Sequence, residues 1–432
     1  MKLFQQMLVA TASLGLIAPI AAQASDVINL EGMNDYNRSK KSAKRFDSNT
    51  FVNEVNEELA TIKGRVDGLE AQQNNFEAGS FSDTTTMDGK AIFTVQSVDT
   101  EDGFNNAAIA DVGYTGKIHA AYTYQLNLNT SFNGDDNLYV RLKSGNHDGP
   151  SDIKSNYNTY LSAGAGKADA LTVDKIWYTL PVNERNTVFF GPKVENYYMH
   201  GTTPSIYKSV LKSFTLGGNG AALGASTSPG AGWKYEADNG FAVSSNFTSQ
   251  QGKGSPHGMI NDESPTSWAT QVGYTQPQYS VSAIVNMKYN GWTDDYFKTI
   301  DGSARPGDGH STNIGLRGWW RPDNTGTATP SISVGYDTSE TDATGNSNTT
   351  AYFVGLTWQD MINADDRIGI AFGQPQKHED DTVDPFLYEV YYDYKVNDSV
   401  TVTPAIFGGT SKNSVGAEVD NTGYLVTTTF KF

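Results

Sequence analysis

Three spacings of apolar residues succeed one another along the chain, and each predicts a different element. Leu3 to Ile20 form an apolar run behind Lys2. From Val52 the positions recur at 3, 4, 3, 4, 3, 4 and 3 residues, through Val55, Leu59, Ile62, Val66, Leu69 and Gln73 to Phe76. From Lys90 onward the period is two. Tyr424, Val426, Thr428, Phe430 and Phe432 share one face of a last strand, and Leu425, Thr427, Thr429 and Lys431 the other. Such a strand has one side in an apolar medium and the other in water. It also ends the chain on an aromatic residue, where soluble domains usually fray.

The period of two continues through about 16 candidate strands, with about 14 as the alternative count, an even number in either case. Their connections alternate in length. Short ones fall at residues 133–136, 181–185, 238–240, 276–278, 322–328, 360–366 and 396–398. The alternate ones are mostly longer, and residues 195–231 form the longest. Short turns on one side and long loops on the other predict an all-β, transmembrane antiparallel β-barrel over residues 90–432. Leu138, Val140 and Leu142 then face lipid, while Tyr139, Arg141 and Lys143 face inward. Trp177, Tyr178, Trp319, Trp320, Trp358, Tyr391, Tyr392 and Tyr394 are expected in the interfacial girdles. Tyr424, Phe430 and Phe432 are the expected signal to the barrel-assembly machinery.

The N-terminal spacings add three segments. Residues 1–24 read as a signal peptide, cut after Ala22-Gln23-Ala24, which leaves Ser25 first. Residues 25–48 form a basic linker with Arg38, Lys40, Lys41, Lys44 and Arg45. Contact with cell-wall polymers is one use for it. Residues 49–79 carry the heptad and read as a short coiled-coil helix before the barrel. Gly64 and Gly68 weaken that helix by about 1 kcal/mol each, so it needs partner helices.

Composition narrows the classes. The chain of 432 residues has no cysteine, which excludes disulfides and thiolate metal sites. A net charge of -17 argues against nucleic acid as a partner. Acidic clusters at Asp294, Asp295 and Asp308, and at Glu379, Asp380, Asp381 and Asp384, read as solvated surface facing lipopolysaccharide. No cofactor or metal site is expected.

A lumen lined by Arg, Lys, Thr and Asn holds water, because unpaired charge does not pack dry. The long connection 195–231 carries Tyr197, Tyr198, His200, Lys208 and Lys212. Its apolar and aromatic residues need a surface, and folding inward onto the wall supplies one. It is therefore expected to set pore width. Arg141, Lys143, Lys193, Arg317 and Arg321 are the expected pore-lining cations. Together with Lys208 and Lys212 they make a basic eyelet that favours anions or polyhydroxyl solutes.

Three stretches resemble the cyanobacterial outer-membrane porins: GRVDGLEA at 64–71, TTTMDGKAIF at 84–93 and GGNGAALGAS at 217–226. Relatives are described as carbohydrate-selective or iron-uptake porins. The resemblance implies a homotrimeric barrel in the cell outer membrane, with a periplasmic stalk, for passive uptake of small hydrophilic solutes. The chain departs from many relatives in lacking room for a surface-layer-homology domain before the stalk. Two rival readings stand beside it. An outer-membrane hydrolase would need a Ser-His pair, but His119, His147, His200, His257, His310 and His378 are scattered and no HExxH or GxSxG occurs. A secreted β-rich binding protein would need no detergent.

Overall fold

A computed structural model describes residues 63, 84–100, 116–147, 160–218, 220–223, 227–250, 258–259, 264–290, 292, 309–342, 348–412 and 418–432. The segments read as signal peptide, basic linker and coiled coil, with Val52, Val55, Leu59, Ile62, Val66 and Leu69, lie outside the described residues, residue 63 apart. The described strands are β1 (Thr85–Thr100), β2 (His119–Thr130), β3 (Asn137–Gly145), β4 (Thr172–Asn183), β5 (Asn186–Val194), β6 (Ser228–Glu236), β7 (Phe241–Ser249) and β8 (Thr266–Gln276). They continue as β9 (Tyr279–Tyr289), β10 (Ser311–Trp320), β11 (Ser331–Thr341), β12 (Thr349–Gln359), β13 (Arg367–His378), β14 (Leu387–Asn397), β15 (Val400–Lys412) and β16 (Glu418–Lys431).

Each strand pairs antiparallel with the next, and β1 pairs with β16, so the sheet closes into a barrel. Closure removes both edges and leaves every ladder bonded. The seam runs from Thr100 opposite Asn421 to Lys90 opposite Lys431. Phe432 extends it, bonding Gly89 through both backbone groups at 2.7 and 3.1 Å. The terminal aromatic residue is therefore part of the closure. β1 starts at Thr85, earlier than the apolar alternation suggests, because Thr85 to Lys90 pair with β2 although Gly89 interrupts the pattern.

The burial pattern is that of a soluble protein turned inside out. Val281 is 54% exposed and Leu316 52%, while Asn286 and Asn313 are fully buried. Apolar side chains point outward to lipid and polar ones inward. Trp320 and Tyr394 are exposed as girdle residues should be. Trp177, Trp319 and Tyr391 correct the expectation, because they are buried inside. The reason is the pleat. In the pairs Trp177-Tyr178, Trp319-Trp320 and Tyr391-Tyr392 two neighbours cannot share a face, so one of each turns inward.

Two of the short turns use one device. Before β3, Asp136 accepts from Ser131 Oγ, Phe132 N and Asn133 N at 2.8 to 2.9 Å, and from Tyr178 Oη at 2.6 Å. Before β13, Asp366 accepts from Met361 N, Ile362 N, Asn363 N and Tyr392 Oη at 2.8 to 3.1 Å. Burial alone would raise these carboxyls, but the donors outweigh it and hold both below the usual carboxylate range. A depressed folded value means stability that is present above the unfolded carboxyl pKa and is lost as pH falls through the folded one. Asp366→Asn should therefore unfold at lower urea than wild type at pH 7. The gap should narrow as acid titrates the wild-type carboxylate, read by tryptophan fluorescence in detergent.

Candidate functional site

The described part of the connection between β5 and β6, residues 195–218, 220–223 and 227, lies against inward-facing side chains of β7, β8, β10, β12 and β14. Near its start Asn246 Nδ2 on β7 donates to Asn196 O at 3.4 Å. Gln271 on β8 exchanges two bonds with Thr202, at 2.9 and 3.2 Å. Trp319 Nε1 on β10 donates to Thr203 O at 3.0 Å. Arg317, also on β10, donates from Nε to Leu216 O at 2.9 Å and pairs with Asp337 on β11 at 2.7 Å. The furthest anchor is Glu389 on β14. Its buried carboxylate accepts from Tyr207 Oη and Val210 N, both at 2.9 Å, and from Leu211 N at 2.6 Å. The loop thus leaves the wall at β5 and is bonded to the wall at β14.

Apolar packing supports the same course. Tyr207, Leu211 and Phe214 join Phe353, Leu387, Tyr391 and Phe407 in one buried cluster. The segment before β4 also turns inward. Ser162 N donates to Val210 O and Lys212 N to Tyr160 O, both at 2.7 Å, around the Leu161–Leu211 bridge. Loop and wall touch backbone to backbone at Gly217, whose φ is +78°, and a Cβ on Gly335 would overlap the Gly217 carbonyl. Only glycine fits such a contact.

The expected cations separate into groups. Arg141, Lys143 and Lys212 line one cavity of about 290 Å³, together with Tyr197 and Tyr198. Arg141 donates to Tyr198 Oη at 2.9 Å. Lys208 lines an adjoining cavity of about 180 Å³. Arg317 is neutralised by Asp337 and holds the loop. Lys193 is exposed and donates to Val173 O at 2.7 Å, apart from both cavities. Arg321 lies at the turn end, donating to Pro277 O at 2.6 Å.

His200 is buried between loop and wall, where Nδ1 meets Ser244 Oγ at 3.3 Å. Burial first, then the Arg317 charge, lowers its pKa to about 4. Burial and the Glu389 charge raise Tyr207, so it remains a donor. Burial also lowers Lys212, to about 8; Asp174 opposes that and Arg141 adds to it.

Lys90, Lys175, Asp174, Glu195 and Glu389 belong to the site although sequence reasoning did not select them. Adjacent Asp174 and Lys175 blurred the alternation of their strand. A bulge opposite Arg141 and Leu142 explains how both reach the cavity. Lys175 pairs with Glu195 and lies over the Tyr198 ring at 4.6 Å.

Residues 47–407 match the family described as "Carbohydrate-selective porin, OprB family". An uncharacterized protein of Nostoc sp. is 26% identical over 88% of this chain and 71% of its own length. Pseudomonas putida OprB has a similar fold, with a TM-score of 0.56 at 13% identity, over 81% of this chain and 94% of that one. The outer membrane channel DcaP of Acinetobacter baumannii follows at TM-score 0.52 and 12% identity, covering 82% and 100%. A trimer form of Vibrio cholerae OmpT gives 0.50 at 14%, covering 81% and 99%.

The Glu389 anchor makes a direct prediction. Glu389→Gln offers the loop one acceptor oxygen instead of two. Tryptic cleavage at Lys208 and Lys212 should accelerate by about tenfold or more, since hydrogen bonds to a charged acceptor contribute roughly 1.5–3 kcal/mol. Tyr207→Phe, which removes one donor of three, should have a smaller effect.

Proposed function

The chain belongs to the carbohydrate-selective porin, OprB family, and from that premise we propose that it is a passive diffusion channel narrowed by residues 195–227. The observation that carries the reading is the loop bonded from the β5 side of the lumen to Glu389 on β14. A loop on that course divides the lumen and leaves Tyr197, Tyr198, Lys208 and Lys212 beside the remaining space. The solutes are small and hydrophilic, and the local charge favours anions over cations in an otherwise acidic protein.

The assembly is a homotrimer in the outer membrane, as in the OmpT trimer form with which it shares a fold. We also infer that the mature chain starts at Ser25 and that residues 49–79, which lie outside the described residues, residue 63 apart, carry the helical stalk read from their heptad spacing. Tyr424, Phe430 and Phe432 present the strand that the assembly machinery reads. The hydrolase reading has one observation in its favour, the contact of His200 with Ser244. Both residues are buried under the loop, which leaves no approach for an ester.

Purified mature protein in a planar bilayer, under a KCl gradient, checks the reading. Ohmic openings in groups of three are expected, with a reversal potential on the anion side. That preference should weaken between pH 7 and pH 9, because Lys212, with its pKa at about 8, loses its charge there. A cation-side reversal potential would contradict the basic eyelet.

A further inference from the structure

The geometry points to two adjoining binding stations for a small multivalent oxyanion of the phosphate class, joined through Lys90. This rests on the channel reading above and names its solute. The two lumenal cavities share Lys90 and Ser162 in their linings. The first, of about 290 Å³, adds Arg141, Lys143, Lys175 and Lys212. The second, of about 180 Å³, adds Lys208 with the hydroxyl of Thr427.

The acids in these cavities are already engaged. Asp174 lies 4.0 Å from Arg141 and 3.9 Å from Lys167, and Glu195 pairs with Lys175. In the second cavity Asp393 is held by Arg367 at 3.5 Å and Thr403 Oγ1 at 2.6 Å. Asp88, two residues from Lys90 on the same strand face, accepts from Asn127 at 2.6 Å. Lys90, Lys143 and Lys208 have no ion pair among the described residues. They make a surplus of positive charge that runs from one cavity into the next.

That surplus selects the solute. A sugar hydroxyl can accept from these donors, but a neutral sugar brings no charge to offset the surplus, and it gains most from free carboxylate acceptors and open aromatic faces. The carboxylates here are occupied, and the Tyr197 and Tyr198 rings carry Lys175 at 5.4 and 4.6 Å, with Arg141 at 5.6 Å from Tyr198. What remains is an array of ammonium and hydroxyl donors, which suits a tetrahedral anion. The smaller cavity has room for several waters, at about 30 Å³ each, so the ion enters partly hydrated. Two successive sites of moderate strength let an ion bind and still leave.

The test uses detergent-purified mature protein in a planar bilayer with symmetric KCl, titrated with potassium phosphate. Phosphate should reduce the chloride current with a saturating, millimolar half-effect, and glucose should not. Lys90→Gln removes the shared charge and should raise the half-effect concentration by about fivefold, and Lys208→Gln by a smaller factor, as expected for solvent-screened charges. An unchanged half-effect in both variants would overturn the inference, as would block by glucose in place of phosphate. Wild-type protein that conducts KCl but ignores phosphate would overturn it while leaving the channel reading intact. Absence of any KCl conductance would defeat the channel reading and this inference with it.

Discussion

A polypeptide in lipid has no water to satisfy its backbone, and the rest of this structure follows from that constraint. Each N–H and C=O in the hydrocarbon layer must find a partner within the protein. The chain meets the requirement by pairing β1 with β16 and by binding its last residue to Gly89. Closure fixes which side of each strand meets lipid. Because side chains alternate, it also places the polar half of every strand inside, where it must be wetted or bonded. Asn286, Asn313, Gln271 and Glu389 are there for that reason, and the lumen they line cannot close into an apolar core.

Residues 195–227 answer the need that closure creates. Their backbone supplies donors to Glu389 and Gln271 and acceptors to Trp319 and Arg317. The neutral bonds are worth about 1 kcal/mol net each and those to charged groups roughly 1.5–3 kcal/mol, because water would otherwise take their place. The polar contacts therefore direct the loop more than they stabilise it. Most of the holding force comes from burying Tyr207, Leu211 and Phe214 against Phe353, Leu387 and Phe407. These two kinds of contact share out the lumen. The apolar cluster fills the side of β12 to β15, and the basic cavities lie beside it. Glu389 is the carboxylate that three donors of the loop converge on, so the course of the loop and the charge of the open space are linked.

Much of the architecture was legible in the sequence because the strand period and the loop-length rhythm are both products of closure. About sixteen strands were expected, with fourteen as the alternative, and sixteen are described; β5 fills the span between the expected connections 181–185 and 195–231. The inward turn of the long loop was legible from its unpartnered aromatics. Side-chain placement was less so. Trp177, Trp319 and Tyr391 were taken for girdle residues because aromatic type says nothing of pleat parity. Asp174 and Lys175 were unreadable because a bulge breaks parity without leaving a compositional mark. Lys193 and Arg321 looked like pore cations because their sign was visible and their position on the barrel was not. Lys90 escaped notice because Gly89 hid the first part of β1. Glu389, an acid in an apolar run, acquires its role only from residues far away in sequence.

The central claim is that residues 195–227 stay bonded across the inside of the barrel in the working protein. The chain has no cysteine, so a single introduced pair reports on this without interference. Ile206 N donates to Ser333 Oγ on β11 at 3.3 Å, which makes the two residues neighbours and the pair a candidate for an introduced disulfide. The double variant Ile206→Cys, Ser333→Cys should cross-link in outer membranes under mild oxidation. Its single-channel conductance should match that of the reduced form. Failure to cross-link, or a conductance that changes when the bond forms, would mean that the loop spends its time elsewhere.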